Sequence, residues 1–170
     1  MNIEYSAVDS ELLRQAMRCW TTGVTIVTCK LDNVQHGMTV NSFTSVSLAP
    51  PVVSVSLAQN TRTNNLVEHA GIFAITILEE RQTELADRFA GRGLTGDIHE
   101  ANRFEGVDTF SLLTGAPLLS QGLAHLDCKV IHTVEFGPTT VFFGEVVAAA
   151  SISSGWPMVY YNRLYRGLQL

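Results

Sequence analysis

Two long apolar and β-branched runs, 123–135 and 140–151, are separated only by Phe136-Gly137-Pro138-Thr139. Such residues favour extended backbone, and a Gly-Pro joint this short turns the chain back on itself. Both runs exceed the ~5–6 residues of an ordinary strand, so the chain is committed to antiparallel sheet. Shorter strand-like runs at 24–29, 52–57, 72–78 and 158–161 add to it, with Asp32-Asn33 a hairpin turn and Ser153-Ser154-Gly155 another turn. Along the first long run Ala124, Leu126, Cys128 and Val130 face one way and His125, Asp127 and Lys129 the other.

Helical spacing is limited to three places. Leu12, Leu13, Ala16, Met17 and Trp20 fall on one face behind Asp9 or Ser10 as cap, with Gly23 beyond the end. Asn60 or Thr61 caps a second, short helix that Gly71 closes. The third covers 79–90, with Leu85 and Phe89 four apart on its inner face. Residues 91–122, punctuated by Gly91, Gly93, Gly96, Gly106, Gly115 and Gly122, read as one long loop. That is longer than a routine connection, which makes it a flap over a site or an arm across a dimer. No repeat or linker interrupts the chain, so residues 1–170 form a single domain with 1–8 a loose tail. The expected class is mainly β: an antiparallel β-barrel with a few peripheral helices.

Charged residues are only 16% of the chain against 46% hydrophobic. So low a charge fraction points to surface covered by a partner subunit. The net charge of −5, with 11 scattered basic residues, excludes a nucleic-acid binder, which needs clustered Lys and Arg. Cys19, Cys29 and Cys128 are far apart and odd in number, as expected of reduced core thiols in a cytoplasmic protein. The N-terminus has no signal-peptide pattern, and no apolar span of about 18 residues could cross a membrane. No His, Cys and acid cluster has metal-ligand spacing, and no Ser has a partnered His and acid.

Chemistry concentrates in two segments. Residues 37–51, Gly-Met-Thr-Val-Asn-Ser-Phe-Thr-Ser-Val-Ser-Leu-Ala-Pro-Pro, are largely extended yet carry a hydroxyl or amide at Thr39, Asn41, Ser42, Thr44, Ser45 and Ser47. Such a stretch offers donors and backbone N–H groups to a flat polar ligand, or is an exposed Ser/Thr-rich strand. Residues 60–65 put Asn60, Thr61, Arg62, Thr63 and Asn64 at a helix start. Free N–H groups and the helix dipole favour an anion there, although a plain cap gives the same pattern.

The first segment matches Gly-x-Thr-x-Asn-Ser-Phe-x-Ser-Val-Ser-x-x-Pro-Pro at every fixed position. In this it resembles the flavin reductase-like proteins, the FMN-binding split-barrel group that includes reductase components of two-component monooxygenases. The resemblance extends over roughly 10–168 through Arg88-Phe89-Ala90, Arg103-Phe104-Glu105-Gly106-Val107, Ala116-Pro117-Leu118, Gly144-Glu145-Val146 and Tyr160–Tyr165. It implies a split barrel that forms a homodimer. It also implies an NAD(P)H-dependent reductase of FMN or FAD, with NADH or NADPH as reductant, that feeds reduced flavin to a monooxygenase. Flavin contacts would come from Met38, Thr39, Val40, Asn41, Ser42, Ser45, Val46 and Ser47. Asn60, Thr61, Arg62, Thr63 and Asn64 would take the phosphate. Arg88, Phe89, Tyr161 and Arg163 would complete the site, with core packing the stronger reading for Phe89.

One departure matters. Members using NAD(P)H carry Gly-Asp-His in the turn between the two long strands, whereas this chain has Gly137-Pro138-Thr139. Thr139 keeps a hydrogen-bond donor but cannot become a cation, and Pro138 removes an N–H. Thr139 and His125 are therefore the candidate groups on the nicotinamide side. Two alternatives stay open: the same fold catalysing another redox step, or a flavin carrier or oxygenase subunit without catalysis.

Overall fold

The computed structural model describes residues 7–92, 102–151 and 155–168. Most of the expected tail, Gly93 and Gly96 of the long loop, and Ser153-Ser154 lie outside them. In chain order the elements are α1 Ser10–Met17, β1 Thr22–Gly23, β2 Thr25–Leu31, β3 Val34–Val40, β4 Thr44–Leu48, β5 Pro51–Ala58, α2 Arg62–Ala70 and β6 Ile72–Ile77. Then follow α3 Thr83–Phe89, β7 Thr109–Ser111, β8 Pro117–Leu119, β9 Ala124–Phe136, β10 Thr139–Ser151, β11 Val159–Tyr161 and β12 Leu164–Arg166.

The main sheet has seven antiparallel strands in the order β3-β2-β6-β9-β10-β5-β4. Its two outermost strands, β3 and β4, are consecutive in the chain and joined only by residues 41–43. Laid flat, such a sheet would be about 29 Å wide at ~4.8 Å per strand. The link from Val40 to Thr44 reaches about 14 Å at ~3.6 Å per residue. The sheet must therefore curl until its edges nearly meet, which makes it a barrel with a seam at 41–43. Ser42 stitches that seam: its Oγ donates to the Ser56 carbonyl at 2.9 Å and accepts from the Ser56 N–H at 3.2 Å.

The barrel interior is apolar, with Val27, Cys29, Val55, Leu57, Val67, Phe73, Ile75, Cys128 and Phe142 almost fully buried. Burial pushes the Cys29 and Cys128 thiols up to about 12. Asp9 caps α1 by accepting from the N–H groups of Glu11 and Leu12. Thr61 caps α2, and Gly71 closes it. Both N-caps are as the sequence indicates. Yet α1 buries none of its residues, and Leu13, Met17 and Trp20 stay more than half exposed. Among the described residues nothing buries its apolar face.

Three expectations need correction. Helix α3 spans Thr83–Phe89 rather than 79–90, because the Gln82 side chain accepts from the Glu79 N–H at 2.6 Å and holds a turn there. The long loop contains a two-stranded flap, β7–β8. That flap covers the β9 face carrying His125 and Asp127, and both are buried. Four tethers fasten it. Asp127 accepts from the N–H of Thr114 at 2.7 Å and from its hydroxyl. Thr76 Oγ1 accepts from Leu119 N at 3.2 Å, the Thr28 hydroxyl donates to the Pro117 carbonyl, and His125 Nε2 donates to the Leu119 carbonyl at 2.8 Å. Finally, the C-terminal strand is a hairpin, β11–β12, turning at Asn162-Arg163 and pairing with β1 in a separate small sheet.

Candidate active site

The signature begins with a close approach. A Cβ on Gly37 would lie 2.9 Å from both Phe89 Cε1 and Thr28 Cγ2, so only glycine lets α3 pack against β3 here. Phe89 meets Phe104 edge-on at 5.1 Å. The Arg103 guanidinium donates through Nη1 to the carbonyls of Gly37 at 2.9 Å and Phe89 at 2.6 Å, and burial lowers its pKa. Arg88 donates to the Glu105 carbonyl at 2.7 Å. The Arg-Phe-Ala and Arg-Phe-Glu-Gly-Val motifs thus clamp one another and lock α3 onto β3. Arg88 and Phe89 serve this scaffold.

Where β3 ends, a cavity of about 410 Å³ opens between β3, the end of α3 and the C-terminal hairpin. Thr39, Val40 and Asn41 form one wall, Tyr160 and Tyr165 another, and Ala90 with Arg92 a third. The Thr39 hydroxyl donates to the Ala86 carbonyl at 2.7 Å, fixing its rotamer while leaving its oxygen able to accept. Tyr160 and Tyr165 face one another across paired strand positions, ring centroids 5.7 Å apart. Arg92 lies over the Tyr165 ring at 5.7 Å and pairs with Asp87 at 3.0 Å. Burial raises the Tyr165 pKa, keeping its phenol a neutral donor.

Other expected residues lie elsewhere. Met38 packs against the barrel core, and Ser42 is spent on the seam. Ser45, Val46 and Ser47 lie on β4, the outermost strand, where a bulge leaves Val46 unpaired between Ser45 and Ser47. In the second segment Thr61 caps the helix, Thr63 Oγ1 is 2.8 Å from His36 Nδ1, and Asn64 Nδ2 donates to the Leu57 carbonyl at 3.4 Å. Asn60 and Arg62 are the exposed members. Arg62 lines a different, polar cavity of about 680 Å³ with Gln35, Asn102 and Arg103, which shares no lining residue with the first.

The nicotinamide-side candidates are likewise apart from the Thr39–Asn41 cavity. Thr139 opens β10 opposite Phe136 and Ala58, and the Pro138 carbonyl accepts from Gln59 N at 2.9 Å. The turn leans on the 59–61 segment. His125 is buried, bonded to Leu119 and 5.0 Å from the Phe110 ring, and lines neither cavity. Its burial lowers its pKa. Its hydrogen bond makes His125 a tether of the flap.

Sequence reasoning missed Val24, Ala90, Arg92, Tyr160 and Tyr165. The aromatic pair had a usable signal. Alternation along a strand puts Tyr160 and Tyr161 on opposite faces, and the sequence-based choice of Tyr161 with Arg163 took the outer parity. Both are exposed, and Arg163 borders a neighbouring groove. Among the described residues no group of His, Cys, Asp and Glu is arranged to hold a metal ion, and no helix is long and apolar enough to cross a membrane.

A curled antiparallel barrel carries at its seam a donor-lined, aromatic-walled cavity whose chemistry suits a planar heteroaromatic ligand. The family model described as flavin reductase like domain matches residues 17–169, and the chain belongs to that family. An NADH-dependent flavin reductase of a Rhodococcus species is 36% identical over 93% of this chain and 86% of its own length. The actinorhodin polyketide dimerase of Streptomyces coelicolor is 33% identical over 95% of this chain and 88% of its own. The solved flavin reductase of styrene monooxygenase from Pseudomonas putida S12 superposes with a TM-score of 0.80 at 30% identity, covering 93% of this chain and 97% of that one.

A flavin is the group this family implies, and the donor set of the cavity suits one. Its amide, hydroxyl and guanidinium groups match a ring edge of alternating acceptors and donors, while Val24, Val40 and Ala90 offer apolar contact to the ring faces.

Proposed function

We propose that this protein is a flavin reductase that uses NADH to reduce FMN or FAD and releases reduced flavin to a separate monooxygenase. The observation that carries the reading is the meeting of Thr39, Val40 and Asn41 with Tyr160, Tyr165 and Arg92 around one cavity, within a chain of this family. A relative named as an NADH-dependent flavin reductase supports the reductant and the reaction. The styrene monooxygenase reductase supports the oxygenase partner.

When bound, the flavin supplies a two-electron acceptor for hydride. The chain supplies position. Asn41, at the open end of β3, offers both an amide donor and an acceptor to the ring edge. Thr39 is held by Ala86 so that its oxygen keeps one orientation. Arg92, anchored by Asp87, brings positive charge beside the ring, where it favours electron-rich forms. The edge backbone of β4 around Val46 adds N–H donors, and Arg62, in the separate polar cavity, offers a cationic contact to phosphate. No side chain need exchange a proton with the nicotinamide, because hydride transfer depends on proximity and orientation. Thr139 in place of histidine is compatible with that. The bare apolar face of α1 supports a homodimer, with a second copy covering Leu12 and Leu13.

The test is anaerobic stopped-flow mixing of the protein with FMN or FAD and NADH, then NADPH, followed at the flavin band. Repeated bleaching of free flavin is expected. Flavin that binds and stays oxidised with both reductants would refute the reading and favour another redox step on the same fold. The polyketide dimerase among the relatives gives that alternative substance.

A further inference from the structure

Among the described residues, the cavity at Thr39–Asn41 has one charged side chain in its lining, Arg92. Its backbone is fixed where α3 ends. The Arg92 N–H donates to the Asp87 carbonyl at 2.8 Å and the Gly91 N–H to the Arg88 carbonyl at 3.0 Å. Gly91, with φ of +77°, supplies the left-handed residue that this helix ending requires. Asp87 also holds the side chain, its Oδ1 accepting from Arg92 Nη1 at 3.0 Å. On its other side the guanidinium lies over the Tyr165 ring at 5.7 Å. Asp87 itself does not line the cavity.

Two features of Asp87 run against a stabilising role. It stands in the last turn of α3, where the helix dipole disfavours a carboxylate. Its pair with Arg92 is also exposed, at 55% for the arginine side chain and 44% for the aspartate, and ion pairs this wet add little to stability. What the pair does is compete. Reduced flavin carries a negative ring charge once its N1 proton is off, whereas the oxidised ring is neutral. A guanidinium free to turn into the cavity would favour the reduced form and so retain the product that has to leave. A weak carboxylate partner outside the cavity restrains it.

We propose that Asp87 is a positioning residue for product release: by drawing Arg92 toward itself, it limits the pull of that guanidinium on reduced flavin. The inference rests on the flavin-reductase reading and adds to it what sets the balance between holding oxidised flavin and letting reduced flavin go.

The test is anaerobic equilibrium titration of oxidised and reduced FMN and FAD, at a pH where the reduced ring is the anion. Reduced flavin is made with dithionite, so no step depends on NADH. The proteins are wild type, Asp87→Asn, Arg92→Gln and the double variant. Asp87→Asn keeps the backbone bond to the Arg92 N–H and removes only the charge. Reduced flavin is expected to bind Asp87→Asn about fivefold tighter, the scale of an exposed ion pair given up. It is expected to bind Arg92→Gln about tenfold more weakly, the scale of one lost charge-assisted hydrogen bond. Oxidised flavin changes little in either, so the ratio of the two affinities moves in opposite directions. In the double variant the effect of Asp87→Asn disappears. The proposal is overturned if oxidised and reduced affinities move together in Asp87→Asn, or if Arg92→Gln leaves their ratio unchanged. It is also overturned if Asp87→Asn tightens reduced flavin equally with and without Arg92, since the carboxylate would then act on the ring directly. Failure of the underlying reading looks different: NADH and NADPH leave flavin oxidised, whatever ratio the dithionite-reduced flavin gives. Wild type that binds flavin in neither state overturns both.

Discussion

Gly37→Ala tests whether the signature glycine is there for packing. The added methyl would stand 2.9 Å from Phe89 Cε1 and from Thr28 Cγ2. Carbon atoms rest at ~3.5–4.0 Å, so each contact is short by about 0.6 Å or more. Thr28 cannot yield, because it sits on a central strand with its hydroxyl bonded to the flap. Phe89 is fully buried between Gly37 and Phe104, so relief means displacing α3. Overpacking of this kind costs about 1–3 kcal/mol. Phe89→Leu alone vacates ring volume and costs about 1–2 kcal/mol, since the cavity collapses in part. In the double variant the methyl occupies space the ring has left, so the two costs overlap and the coupling is at least ~0.5 kcal/mol in favour of the pair. Equilibrium urea unfolding followed by tryptophan fluorescence reads all three, at one protein concentration because association shifts apparent stability. The reasoning fails if Gly37→Ala is within ~0.5 kcal/mol of wild type, or if the two effects simply add.

Replacing the His125 imidazole by Gln keeps a donor for Leu119 and removes a titrating group. Burial lowers the folded pKa of His125, so its contribution is present above the unfolded value of about 6.5 and is lost as pH falls through the folded value. Wild type is expected to lose stability below that pH more steeply than His125→Gln, by chemical denaturation at several pH values; equal slopes would show that this histidine does not matter. Asp127→Ala strands two Thr114 donors and is expected to open the flap, read as faster limited proteolysis between residues 109 and 119. With Cys29 and Cys128 buried and raised to about 12, the native protein should yield Cys19 alone to a thiol reagent near pH 8, and all three after denaturation. Asn41→Ala is expected to weaken flavin binding about tenfold while leaving the melting temperature near that of wild type, because its side chain is exposed.

The strands, both N-caps and the position of the signature were legible because each rests on local pattern: alternation, a capping side chain, a turn dipeptide. A barrel was legible from the number of strands, but its split form came only through resemblance, since nothing in the local pattern reports that β3 and β4 are opposite edges of one sheet. The burial of His125 and Asp127 was not legible, for a physical reason. Polar residues alternating with apolar ones ordinarily face water, and here a flap of only a few residues brings its own donors and carbonyls to satisfy them. Thr63 and Asn64 looked like ligand contacts on residue type, yet their partners are His36 and Leu57, distant in sequence. Arg92 and Tyr165 were invisible for the converse reason. What makes them a pair is a contact between α3's end and the C-terminal hairpin, which no spacing along the chain encodes.

The Ser42–Ser56 stitch carries a consequence for how the protein breathes. Asn41 lines the cavity while its neighbour Ser42 fastens the seam to β5, so one stretch of three residues is both clasp and cavity wall. A ligand that grips Asn41 therefore raises the free energy of unfastening by RT ln(1 + [L]/Kd). Hydrogen exchange at the Ser56 amide becomes a reporter of occupancy: the clasp slips less often when the cavity is filled. Product departure and seam opening then draw on the same local fluctuation, and a tighter clasp would trade turnover for durability.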